Sequence, residues 1–191
     1  MLRQDILDAA RELFVTEGYE NVSMRRIAEK IEYSPTTIYL YFEDKADLLH
    51  ALCEETFARL ANRTEAITKQ YPDPIDGLRR GCRAYIEFGL KHPNHYRVTF
   101  MTPPPPGFAK EHYMREDSQG MRAYNCLRQG VGRCVEQGHF REKDVDAVTQ
   151  MLWAAIHGVT SLLITKPLFP WVNKNALIDL MIDNAIQGLK A

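Results

Sequence analysis

The chain has 191 residues, of which 45% are hydrophobic and 26% are charged, and its formal net charge is −1. This length supports one large core or two small ones, and a charge near zero gives no bulk attraction toward nucleic acid or membranes. No apolar run is expected to reach the roughly 20 residues of a membrane span, and the first residues lack a signal-peptide pattern. Four scattered cysteines without a CxxC pair favour reduced thiols. The sequence predicts a cytoplasmic protein.

Helical periodicity runs through the whole chain and strand alternation is absent, which predicts an all-α fold of about nine helices. A first helix carries an apolar stripe and ends near Gly18, which is placed as a C′ residue. Ser23 and Ser34 stand at N-cap positions of a second and a third helix, the third with proline in its first position. Asp44 is placed to cap a fourth, longer helix that begins at Lys45.

Prolines and glycines divide the remainder of the chain into five more predicted helices. Their expected ranges are 75–91, 94–101, 110–138, 143–165 and 174–190. A run of four prolines, Pro103 to Pro106, followed by Gly107, predicts a stiff extended loop, with a PxxP ligand for an aromatic groove as the alternative. The expected domains are a three-helix head at 1–47 and a helical body at 48–191.

Residues 23–45 have the pattern of a helix-turn-helix, in which two short helices are joined by a tight turn. With Ile38 and Phe42 turned inward, the outer face of the second helix carries small hydroxyls, tyrosines and one leucine. Hydroxyls bond base edges or phosphates, and a leucine contacts thymine methyl groups, although exposed leucines are also common without a function. The predicted DNA contacts of this helix are Ser34, Thr36, Thr37, Tyr39, Leu40 and Tyr41.

Phosphate contacts are expected from residues that start the second and fourth helices, namely Ser23, Arg25, Arg26 and Lys45. Helix N-termini present free N–H groups and a partial positive charge, so cations there reinforce anion binding. Residues 23–45 hold four cations and four anions. We therefore expect binding through a few placed contacts, with a modest salt dependence.

The first quarter of the chain resembles the TetR family of bacterial regulators. The residues that carry the resemblance are Ile27, Ala28, Ser34, Thr37, Ile38, Tyr39, Phe42, Lys45, Leu48 and Leu49. The resemblance implies that Tyr39, Leu40 and Tyr41 touch DNA and that Lys45 binds a phosphate. Glu32 stands where the family's turn usually has glycine, so a non-glycine residue is expected to accept that turn, at positive φ.

The last two predicted helices are apolar on more than one face and so require burial on two sides. One side is expected to be the chain's own core and the other a second subunit, as the resemblance to TetR regulators implies. The alternative is a large monomeric core. Two-fold symmetry would bring two recognition helices to successive major grooves of a double-stranded DNA operator.

Trp153 and the His157-Gly158 pair resemble the C-terminal domain of a subset of TetR regulators. This resemblance does not identify a ligand. An effector pocket is expected between the helices. Its aromatic bias favours a small, largely apolar effector, although plain core packing also explains each residue. The candidate lining residues are Tyr85, Phe88, Tyr96, Phe100, Tyr124, Trp153 and His157.

Other kinds of site have little support in the sequence. His92 and His95, with His112 or His139, form the best histidine set, but it lacks acidic or cysteine partners at ligand spacing. No metal, cofactor or catalytic residue is expected. The sequence predicts a homodimeric, ligand-responsive repressor without enzymatic activity. The alternatives are an all-helical adaptor and a helical enzyme, both without a DNA role.

Overall fold

The computed structural model describes residues 2–105 and 115–191. Over these ranges the chain forms nine α-helices and one 3₁₀ turn at Tyr19–Asn21, and Phe140 and Lys190 form an isolated bridge. The helices are α1 (Leu2–Thr16), α2 (Met24–Lys30), α3 (Pro35–Tyr39), α4 (Lys45–Gln70), α5 (Pro74–Lys91), α6 (Pro93–Met101), α7 (Gln119–Glu136), α8 (Val145–Thr165) and α9 (Lys174–Gln187). The predicted all-α class and helix number are confirmed.

The predicted helix at 110–138 is wrong at its start. Residues 115–118 form bends and turns, and α7 begins only at Gln119. A carboxylate oxygen of Glu54 accepts a hydrogen bond from the Gln119 N–H at 2.9 Å, so a residue distant in sequence satisfies the first turn. Residues 110–114, Pro106, Gly107 and His112 lie outside the described residues. The predicted ends at 143 and 190 also move inward, to Val145 and Gln187.

The first compact unit consists of Met1–Phe57 together with His92–Gly120. It contains α1, α2, α3, the first half of α4, and α6, whose apolar faces share one core. Large side chains that are fully buried in it include Ile6, Leu7, Ile27, Ile38, Leu48 and Leu52. Arg11 is also buried, and its guanidinium bonds Asp8 at 2.5 Å and Glu55 at 2.9 Å. This charge is therefore kept inside the unit by two carboxylates.

The second compact unit consists of Ala58–Lys91 together with Met121–Ala191. Within it, α5 packs against both α8 and α9. Buried side chains on these helices include Leu78, Ile86, Leu152, Ile156, Ile178, Ile182 and Ile186. Arg79 and Arg83 on α5 pair with Asp183, at 2.7 Å, and Asp179 on α9. An apolar core and a row of ion pairs thus fix α9 on α5.

The boundary between the units falls inside α4, and α6 belongs to the first unit. Both units are therefore discontinuous in sequence, a feature that local sequence patterns do not report. The functional division expected at residue 47 stays a prediction.

Among the described helices, α8 alone is long and apolar enough to cross a membrane, judged by length and composition. From the sequence alone, no membrane-spanning segment is expected. The helix buries 39% of its most apolar window, and core helices of water-soluble proteins pass the same test. Its buried Leu152, Ile156 and Leu163 identify it as a core helix of the second unit.

Candidate nucleic-acid interface

The two predicted N-caps of the helix-turn-helix are confirmed. The Ser23 hydroxyl accepts a hydrogen bond from the Arg26 N–H at 3.1 Å, and the Ser34 hydroxyl accepts one from the Thr37 N–H at 3.2 Å. Each cap satisfies one N–H group that the helix itself leaves unpaired. The two serines therefore fix where α2 and α3 begin.

The turn between α2 and α3 contains Glu32 at φ 60°. The expectation that a non-glycine residue adopts positive φ here is confirmed. The Glu32 N–H bonds the carbonyl of Glu29 at 3.2 Å, and the Tyr33 N–H bonds that of Ala28 at 3.0 Å. These bonds hold a left-handed residue that has no glycine flexibility, and the residue carries a strain of about 1–2 kcal/mol.

Helix α3 ends at Tyr39, two residues before Tyr41, the last residue of the outer face that the sequence predicts for this helix. Leu40 is the C-cap and Tyr41 lies in the turn that follows, where its N–H bonds the carbonyl of Ile38 at 2.9 Å. Ile38 and Phe42 are both buried, and the Phe42 N–H bonds the carbonyl of Ile38 at 3.2 Å. Leu40 and Tyr41 thus lie at the C-cap of α3 and directly after it, and both side chains face solvent.

The exposed side chains of α3 and its flanks form one outward surface. Leu40 is 79% exposed, and Tyr39 and Tyr41 are 54% and 43% exposed. Thr36 is exposed, whereas the half-buried Thr37 hydroxyl lies 2.9 Å from the Ser34 hydroxyl.

Tyr33, in the turn directly before Ser34, is a further exposed aromatic residue, with 49% of its surface accessible.

The two arginines of the first turn of α2 are engaged by carboxylates of the head. The Arg25 guanidinium lies 3.1 Å from Glu29, one turn along the same helix. That of Arg26 lies 3.1 Å from Glu17, which follows α1. Only the first of these pairs lies within residues 23–45, because Glu17 belongs to the residues that precede the helix-turn-helix.

Lys45, at the start of α4, binds the protein's own backbone. Its Nζ donates to the carbonyl of Tyr19 at 2.7 Å and lies 4.3 Å from the centre of the Tyr19 ring. The side chain therefore ties α4 to the 3₁₀ turn. The phosphate contact expected of Lys45 stays a prediction, and the lysine also has a structural role that the sequence did not indicate.

Five of the candidate effector residues lie in the second unit. Tyr85 and Phe88 are buried on α5, and the Trp153 indole N–H donates to the Tyr85 hydroxyl at 3.3 Å. The rings of Tyr124 and Trp153 meet edge to face at 6.2 Å. Burial lowers the pKa of His157 below its usual value of 6.5. Tyr85 and Phe88 belong to the core of that unit, whereas Trp153 is 41% exposed.

The other two candidates, Tyr96 and Phe100, lie on α6 in the first unit. Their ring centres are 4.6 Å apart, and the Phe100 ring lies edge-on to Phe57 at 5.4 Å. The seven residues are thus distributed over both units, and the effector site stays a prediction.

Metal and thiol chemistry have little support in the part of the chain that the structure describes. No group of three or more His, Cys, Asp or Glu side chains has a metal-binding arrangement there. His92 and His95 face each other edge-on, with ring centres 5.7 Å apart. Burial raises the pKa of Cys53 to about 11 and that of Cys82 to about 12, so little thiolate forms on either side chain at neutral pH.

Large apolar side chains remain exposed on α8, α9 and the loop that joins them. They are Met151, Trp153, Leu162, Leu168, Phe169, Val172 and Leu180. Leu180 lies on the face of α9 opposite Ile178 and Ile182, which are buried. Among the described residues, α8 thus leaves Met151, Trp153 and Leu162 exposed, and α9 leaves Leu180 exposed.

A capped α2, a tight left-handed turn and an α3 that presents hydroxyls and tyrosines are the architecture of helix-turn-helix proteins. Residues 6–52 match the family described as bacterial regulatory proteins, tetR family, and residues 78–185 match a tetracycline-repressor-like C-terminal domain. The second match alone covers more than half of the chain. The chain belongs to the TetR family.

Curated relatives match the chain over its N-terminal part. The HTH-type transcriptional repressor AcnR of Corynebacterium diphtheriae is 43% identical over 61 residues, 32% of each chain. An HTH-type transcriptional regulator of Staphylococcus aureus strain USA300 is 46% identical over 88 residues, 46% of this chain and 48% of that protein. The chain thus spans only about a third to a half of the length of these relatives.

A solved structure shares the fold along the whole chain. It is the transcriptional regulator FadR of Bacillus subtilis in complex with stearoyl-CoA, with a TM-score of 0.83 at 21% identity. The match covers 97% of this chain and 98% of that one. At this identity the likeness shows the fold alone.

Proposed function

We propose that the chain is a ligand-responsive DNA-binding transcription regulator that represses its target genes. The observation that carries the proposal is the outward surface of α3, where an apolar Leu40 is 79% exposed between two exposed tyrosines. An adaptor or an enzyme would leave this combination without a role, whereas a major groove offers partners for each side chain. A relative named as a repressor matches the same part of the chain. Such a regulator acts in the cytoplasm, where bacterial DNA lies.

Each residue of the head has a proposed role in holding double-stranded DNA. Thr36 and Leu40 face base edges and thymine methyl groups, and the hydroxyls of Tyr39 and Tyr41 donate to phosphate oxygens. Thr37 and Ser34 order the start of α3 and bring its backbone close to the DNA. Ser23, Arg25, Arg26 and Lys45 contact the flanking phosphates, which position the head without reading sequence.

Two heads are required, because a five-residue α3 offers few base contacts. We propose that α8 and α9 pair with the same helices of a second copy and bury their exposed apolar side. Leu180, which is 62% exposed, and Leu162, which is 47% exposed, support this interface. A two-fold dimer then matches a palindromic operator whose half-sites are one helical turn apart.

The proposed effector is small and largely apolar and binds among the helices of the C-terminal body. The aromatic residues around Trp153 and Tyr85 support an apolar ligand, and a regulator of the same fold binds stearoyl-CoA. Repression is released if the effector favours a dimer geometry that no longer matches the half-sites. A coupling free energy of about 1–3 kcal/mol would weaken operator binding by about 5- to 150-fold.

The test of DNA binding is a gel shift on the duplex upstream of the chain's own gene. Tyr39→Phe removes one phosphate hydrogen bond and should weaken binding about two- to ten-fold per head, without changing the circular dichroism spectrum. Tyr71→Phe, outside the head, is the matched control and should bind like the unmodified chain. Equal binding by both variants would contradict the assignment of Tyr39.

The effector is tested in the same assay with small apolar compounds and, separately, with stearoyl-CoA, which joins an apolar acyl chain to a charged coenzyme A group. Binding to the protein is measured separately by thermal shift, so that a ligand that binds is distinguished from one that does not. Release of the DNA by a bound compound supports the proposal. Operator affinity that no bound ligand changes would refute it.

A further inference from the structure

Every cation in the helix-turn-helix segment already has a partner within the head. Besides the two arginine pairs, the Lys30 ammonium lies 2.9 Å from Glu12 on α1, and Lys45 bonds the Tyr19 carbonyl. A phosphate group that approaches the head therefore meets cations that are engaged, and it must compete with oxygen atoms of the protein. The four contacts differ in whether they also hold two structural elements of the head together.

Three of the four pairs join separate elements. The Arg26–Glu17 and Lys30–Glu12 pairs connect α2 to α1 and to the residue that follows it, and the Lys45 contact connects α4 to the 3₁₀ turn. These three contacts therefore help to hold the head together.

The Arg25–Glu29 pair is different, because both residues lie on α2, one helical turn apart, and neither holds two elements together. The Arg25 side chain is 80% exposed and that of Glu29 is 52% exposed. An ion pair this open to water contributes little to stability. Phosphate can therefore displace Glu29, and the pair weakens DNA binding without preventing it.

We propose that Glu29 tunes the strength of DNA binding by competing with phosphate for the Arg25 guanidinium. The inference rests on the proposed DNA-binding function and adds an anionic residue that regulates the same site. Glu29 contacts no DNA itself and acts through Arg25. Its removal frees the guanidinium for one more phosphate in each head.

The experiment is a double-mutant cycle read out by fluorescence anisotropy with a labelled 40-base-pair duplex of random sequence, from about 50 to 200 mM NaCl. Glu29→Gln should tighten binding about two- to five-fold per head at the lowest salt, as expected for an exposed pair. The plot of log K against log salt should steepen by up to about 0.9 per head, one extra phosphate contact. In the Arg25→Ala background the same substitution should change neither quantity.

Glu43→Gln is the charge-matched control, since Glu43 is another exposed acid of the head. If Glu29→Gln tightens binding as much without Arg25 as with it, or no more than Glu43→Gln does, bulk charge is responsible and the inference is overturned. No tightening in the unmodified background also overturns it. If the unmodified chain binds neither this duplex nor its own upstream DNA, the proposed function fails, and this inference fails with it.

Discussion

A substitution at Leu180 tests the proposed dimer interface separately from the proposed DNA-binding surface. Leu180 is 62% exposed on α9, although its neighbours Ile178 and Ile182 are buried. Full burial of a leucine side chain contributes about 1.5–3 kcal/mol, so covering the exposed part contributes about 1–2 kcal/mol per subunit. A two-fold interface contains Leu180 of both subunits, so this free energy contributes twice to the stability of the dimer. Leu180→Asp should therefore raise the dimer dissociation constant at least about 30-fold, with the desolvation of two carboxylates adding to the effect.

The assay is sedimentation velocity from 0.1 to 50 μM protein (about three decades around a typical dimer constant), followed by a gel shift. Leu180→Asp should sediment as a monomer with unchanged helicity and should lose operator affinity, because each head then binds alone. Leu40→Asp in the head is the matched control: it should remain a dimer and lose only DNA binding. A Leu180→Asp protein that stays dimeric at unchanged affinity, or an unmodified chain that is monomeric throughout, would refute the proposed interface.

Four further predictions concern stability and reactivity. Arg11→Ala should lower the free energy of unfolding by about 2–3 kcal/mol in urea titrations, because it removes the cation of a largely buried ion pair with Glu55. Glu32→Gly should raise it by about 1 kcal/mol or less, since relief of the positive φ exceeds the added entropy of the unfolded chain. Because burial lowers the pKa of His157, the unfolded chain takes up the proton first as the pH falls below 6.5, so stability should decline from there downward. Urea titrations at pH 7.5 and 5.5 should show a smaller loss in His157→Gln. Iodoacetamide should alkylate Cys53 at least about 100-fold more slowly than free cysteine at pH 7.5, because its pKa of about 11 leaves little thiolate.

Each of these has a result that would contradict it. A change below about 0.5 kcal/mol for Arg11→Ala would mean that water already solvates the pair. If Glu32→Gly lowers the free energy of unfolding, relief of the positive φ at residue 32 does not exceed the added entropy of the unfolded chain. If stability falls equally on acidification with and without His157, other groups are responsible for the titration. Rapid alkylation of Cys53 would show that the structure around this thiol opens to solvent.

The local features of the head were predictable because each depends on a few neighbouring residues. Serine caps are made to N–H groups three residues ahead, so Ser23 and Ser34 were identified from the sequence and are confirmed. The positive φ of Glu32 followed from the turn and from the missing glycine. The end of α3 at Tyr39 is not predictable in this way, because neither glycine nor proline follows it to mark a helix end.

The sequence by itself determined the helical class, the caps, the turn and the family, because the hydrogen bonds and spacings that specify them act within about one helical turn. Tertiary structure alone decided which charges neutralise one another, where α7 begins, and that Lys45 binds the carbonyl of Tyr19. These features join groups as far apart in the chain as Arg79 and Asp183, which are separated by 104 residues. Their partners are set by how the helices pack, and a local pattern carries no information about that packing.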